Sequence, residues 1–110
     1  MEGAMEVTSW GNTYEVSIRK EQYANNGGLA LKMDYFDDEY KCWMPFATLT
    51  VNLGRLNYGL AYVDTNNCPW AEEFITKYGI GEPTEKTCVS GWCEYPLYRF
   101  DIDKIDEVAA

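Results

Sequence analysis

The sequence predicts an α+β domain: an antiparallel meander of about five to seven strands with one helix packed on a face. Three observations predict it. Several stretches alternate apolar and polar residues with a period of two, Gly- and Asn-rich turns separate them, and only residues 69–78 carry a helical period. A length of 110 residues with 46% apolar side chains suits one domain that buries a core. The whole chain, 1–110, is therefore read as a single domain with an ordered core over about 4–102.

After the turn signal Trp10-Gly11-Asn12, Tyr14, Val16 and Ile18 alternate with Glu15, Ser17 and Arg19, as a half-buried strand requires. Asn25-Asn26-Gly27-Gly28 supplies residues that tolerate a positive φ, and Leu29, Leu31, Met33 and Tyr35 resume the period. Asp37-Asp38-Glu39 reads as a polar loop. Trp43 to Leu53 then reads as one long strand, and Leu60 to Val63 as a short central one. The helix is well punctuated: Pro69 suits its first position, Glu72 and Glu73 its positive end, and Gly79 the residue past its end. Trp70, Phe74 and Tyr78, with Ala71 and Ile75, form its apolar stripe. Extended pieces near Lys86 to Val89 and Leu97 to Ile102 complete the sheet, and the tail from Asp103 reads as frayed.

Eighteen acidic residues against nine basic ones leave a net charge of −9, which disfavours direct binding to nucleic acid. Histidine is absent, which excludes imidazole-dependent triads and imidazole metal sites. The composition predicts no cofactor, no metal and no enzymatic activity. No apolar run reaches a membrane-spanning length and the first residues lack a signal-peptide pattern, so the expectation is a cytoplasmic protein with no membrane partner and with Cys42, Cys68, Cys88 and Cys93 reduced. The cluster Asp34, Asp37, Asp38 and Glu39 lacks the alternation of a calcium loop and reads as a solvated hairpin tip.

Two candidate sites follow. Cys68 stands just before the predicted helix, where the positive end of the dipole would lower its pKa and make it a reactive thiol. The preceding Asp64-Thr65-Asn66-Asn67 reads as a structural turn that steers strand into helix. The second site is an interaction surface. Seventeen aromatic residues exceed what the core must bury, and Trp92, Tyr95 and Tyr98 would present exposed rings. Acidity is concentrated in residues 58–110, and the carboxylates Asp101, Asp103, Asp106 and Glu107 would steer a basic partner protein toward them. Exposed rings and an uncovered sheet edge would also allow a homodimer.

At Tyr23-Ala24-Asn25-Asn26-Gly27-Gly28-Leu29-Ala30, at Pro45 to Leu53, and above all at Val63 to Phe74, the chain resembles a family of small domains of unknown function. The likeness runs from about Tyr14 to Phe100 and takes in Gly81-Glu82-Pro83-Thr84 and Tyr95-Pro96-Leu97-Tyr98-Arg99-Phe100. That resemblance implies an occurrence in gut Firmicutes and an accessory role on conjugative and other mobile elements, with no established activity. The resulting expectation is a non-enzymatic protein-binding module that acts as a decoy or inhibitor of a nucleic-acid-binding or defence protein. The alternative is a small enzyme or ligand-responsive domain built on Cys68.

Overall fold

The structure, a computed structural model, describes residues 5–54 and 56–109. Its elements in chain order are β1 (Met5–Ser9), β2 (Asn12–Gln22), β3 (Leu29–Asp37), β4 (Cys42–Thr48), β5 (Thr50–Val51), β6 (Leu60–Val63), α1 (Ala71–Tyr78), β7 (Gly81–Ser90), β8 (Cys93–Phe100) and α2 (Ile102–Ala109). The α+β class holds, with a different layout from the single sheet and single helix expected. Among the described residues two four-stranded antiparallel sheets form, ordered β1-β2-β3-β4 and β5-β6-β8-β7, with two helices.

The extended run Trp43 to Leu53 changes sheet in its middle. Leu49 is fully buried; its N–H donates to the Leu31 carbonyl at 2.8 Å, while its own carbonyl accepts the Asp64 N–H at 2.9 Å. Thr50 secures the crossing from the other side, since its buried hydroxyl accepts the Leu31 N–H at 3.2 Å and lies 2.9 Å from the Tyr23 hydroxyl. The apolar–polar alternation of the sequence from Ala47 to Leu53 is unbroken through this point, although Leu49 and Thr50 are both buried, so the period shows an extended chain and is silent about which neighbour it pairs with.

In the first sheet Val16, Ile18, Leu31 and Met33 face inward, as their alternation demands. In the second, Ala61, Val63, Tyr98 and Phe100 meet Phe74 and Ile75 of α1 in the same core. α1 begins at Ala71, two residues after Pro69, and ends on Gly79 at φ 64°, the left-handed conformation that glycine adopts without strain. Its aromatic stripe joins the sheet through ring pairs Tyr14–Phe46, Phe46–Trp70, Trp70–Phe74 and Phe74–Tyr78, with centroids 5.1, 5.6, 5.9 and 5.0 Å apart. The Tyr78 hydroxyl then reaches the free edge of β1, where it accepts the Glu6 N–H at 2.7 Å.

The expected frayed tail is instead α2, which packs against β2. Asp101 caps it by accepting the Lys104 N–H at 3.1 Å, Ile105 is fully buried, and Lys20 of β2 pairs with Asp106 at 2.6 Å. Two isoleucines three residues apart behind an aspartate are enough to dock one short helix.

Candidate functional site

Cys68 is buried, not presented. Its thiol points at the Thr48 carbonyl at 3.7 Å, and burial, followed by the nearby Asp64 carboxylate, pushes its pKa up to about 11. The reason the predicted depression fails is positional. Cys68 lies three residues before α1 begins, inside a turn in which Asp64 accepts the Asn67 N–H at 3.1 Å and the Cys68 N–H bonds to the Asp64 carbonyl at 2.9 Å. The turn reading of residues 64–67 holds, and the thiol is a packed apolar group. Among the other cysteines, Cys88 lies opposite Tyr95 and Cys93 opposite Ser90, so the two thiols are diagonal neighbours. Such a diagonal spans about 7–8 Å, beyond ordinary disulfide reach.

The predicted interaction residues separate into two places. Trp92 is fully exposed at the tip of the β7–β8 hairpin, whereas Asp101, Asp103, Asp106 and Glu107 lie at the opposite end of β8 and on α2. The nine-residue interval from Trp92 to Asp101 spans about 30 Å as extended chain, so these groups do not form one surface. Two of the carboxylates also serve the fold, Asp101 as a cap and Asp106 in its pair with Lys20. Tyr95 is half-buried beside Cys93 and its hydroxyl pKa is raised, first by a hydrogen bond to that thiol. Tyr98 faces the core, 3% exposed, and donates to Glu72 at 2.6 Å; burial is the first cause that raises its pKa. Period two places Tyr98 with Phe100 on the inner face, so it is not available as an exposed ring.

The sequence marks Trp10-Gly11-Asn12 as a turn and Trp92 as an exposed ring; what it does not show is that both tryptophans stand on hairpin tips. The β1–β2 turn is the two-residue loop Trp10-Gly11, with φ of 54° and 80°, and Trp10 is 93% exposed. The β7–β8 turn is the two-residue loop Gly91-Trp92, with Gly91 at φ 62°. β6 pairs with β8 only through Leu97–Arg99, so residues 87–96 reach past the sheet as a two-stranded ribbon that carries Trp92 and exposed Val89. Tyr40 and Trp43, also exposed, lie at the β3–β4 end, the same end of the meander as Trp10. The signal in the sequence is a tryptophan beside glycine, Trp10-Gly11 and Gly91-Trp92, at two of the turns.

The described residues contain no group of three or more His, Cys, Asp and Glu side chains arranged to hold a metal. A cleft of about 340 Å³ is lined by Gly79, Gly81, Glu82, Arg99, Phe100 and Asp101; Glu82 stands opposite Arg99 across β7 and β8, and no ion pair among the described residues joins them. No helix among the described residues is long and apolar enough to cross a membrane.

A family model described as a domain of unknown function, DUF4313, matches residues 17–110. The chain belongs to the DUF4313 family. The matched stretch of this DUF4313 domain begins within β2 and contains Trp43 and Trp92 but not β1, Glu15 or Trp10. No curated protein and no solved structure matches it.

Proposed function

We propose that this DUF4313 domain is a non-enzymatic protein-binding module that anchors a basic partner protein with tryptophans displayed on its hairpin tips. The observation that carries the reading is Trp10. A large side chain held at φ 54° and 93% exposed contributes nothing to the core and occupies a turn position where asparagine or glycine is favoured. Such a residue costs stability where it stands, and its gain must come from contact with something else. The net charge of −9 supports a cationic partner, and an accessory role on a mobile element as a decoy for a nucleic-acid-binding or defence protein fits that chemistry. Burial of Cys68 argues against the thiol-based alternative.

Trp10→Asn is expected to raise the unfolding free energy by about 0.5–1 kcal/mol, because asparagine tolerates the left-handed turn. The same change, combined with Trp92→Ser, is expected to remove captured protein in affinity pull-downs from bacterial lysate read by mass spectrometry at low salt. An identical set of proteins captured by the parent and the double variant would refute the reading.

A further inference from the structure

The outward face of the first sheet carries its charge unevenly. At one end, Arg19 pairs with Glu21 and, at 2.9 Å, with Asp34, and Lys32 lies 3.6 Å from Glu21. That end neutralises itself. At the other end Glu6 stands directly opposite Glu15, and neither is in an ion pair among the described residues. Like charges directly across a strand pair are destabilising, so the arrangement opposes folding. Lys77 shares a small cleft with Glu6 and Glu73 but sits over the Tyr78 ring, 5.3 Å from its centroid.

The register extends this pair into a row. Val16 opposite Tyr35 puts Glu15 level with Phe36, and Phe36 is opposite Trp43, so Glu6, Glu15, Phe36 and Trp43 lie side by side across β1 to β4. Three strand spacings make the row about 14 Å long. The two rings meet edge to face at 5.5 Å, and Trp43 is 47% exposed. At this end of the sheet an open groove of about 390 Å³ runs past Glu6, Glu15, Phe36 and Asp38 and also takes in Tyr14 and Tyr35, which pack against the core; Trp43 stands beside it through its contact with Phe36, and Asp38 is exposed and outside any ion pair among the described residues.

Resting on the binding-module reading above, we propose that this row is the docking surface for a Lys/Arg-rich segment of a partner protein. A guanidinium stacks on the open face of Trp43 while Glu6, Glu15 and Asp38 receive the neighbouring cations. Charge complementarity selects this occupant. A second copy of an acidic chain would repeat the repulsion, and an apolar partner would leave the carboxylates unpaired.

The test is titration of the ¹⁵N-labelled protein with a nona-arginine peptide at low salt, followed by backbone and indole chemical shifts. The expected shifts centre on Glu6, Glu15, Phe36 and the Trp43 indole. Glu6→Gln with Glu15→Gln is expected to weaken binding about tenfold, while Asp103→Asn with Glu107→Gln, which removes the same charge from α2, changes it less than twofold. Melting of the Glu6→Gln, Glu15→Gln variant should be unchanged or higher, which excludes unfolding as the cause. Equal weakening by both double variants, shifts centred on α2, or no binding at low salt overturns the proposal. If that happens while lysate capture still depends on Trp10 and Trp92, this surface falls and the binding-module reading stands.

Discussion

Phe74→Ala is expected to lower the unfolding free energy by about 3–5 kcal/mol, a large share of the stability of a domain this size. Phe74 is 4% exposed in the core and its ring is the link between Trp70 and Tyr78, at centroid distances of 5.9 and 5.0 Å. Truncation leaves a void where α1 meets both sheets and releases the rings on either side, so the transfer loss and the cavity loss act together. Urea denaturation followed by tryptophan fluorescence and far-UV circular dichroism checks it. A loss below about 1 kcal/mol would show that the aromatic series does not hold α1 in place.

The second large effect is a pH dependence. Cys68 has a folded pKa of about 11 against an ordinary thiol value of 9.0. Between those two values the unfolded chain has released the thiol proton and the folded chain has kept it. The stabilisation is therefore fully present below about pH 9 and is lost as the pH rises toward 11, a fall of up to about 2.7 kcal/mol over two pH units. Denaturant titrations from pH 8 to 11 should show this slope in the parent and a shallower one in Cys68→Ala, whose own loss of volume is independent of pH. Tyr98, whose pKa is also raised, contributes a decline of the same sign above pH 10 in both proteins. Equal slopes would mean that the thiol is not buried in the folded chain.

Local pattern was enough for much of the fold and little of the surface. The alternation of Tyr14 to Ile18 and of Leu29 to Tyr35, and the Pro69 to Gly79 punctuation, are signals carried by neighbouring residues, and the elements they mark are present. The sheet change at Leu49 depends on Leu31 and Asp64, partners eighteen and fifteen residues away that no period encodes. β1 went unread because its five residues hold only two buried positions, Met5 and Val7. α2 reads as a frayed tail in the sequence because it lies at the terminus, and only the pairing of Lys20 on β2 with Asp106, beside buried Ile105, shows how it docks. On the surface, Trp92 could be identified as exposed, but Tyr98 could not be told from it until the register fixed which way each ring points. The row from Glu6 to Trp43 spans four strands and 37 positions of sequence, so only strand pairing brings it together.

The Tyr78 hydroxyl on β1 has a consequence for the chain in a crowded solution. An outer strand with open amides is a template on which another extended chain can add, the first step toward aggregation. By taking the Glu6 amide, and standing 3.5 Å from the Glu6 carbonyl, one phenol at the end of α1 occupies part of that template. The helix that closes the core thus also blocks one of the edges on which another chain could add, leaving the outward face of the same sheet open for a chosen contact.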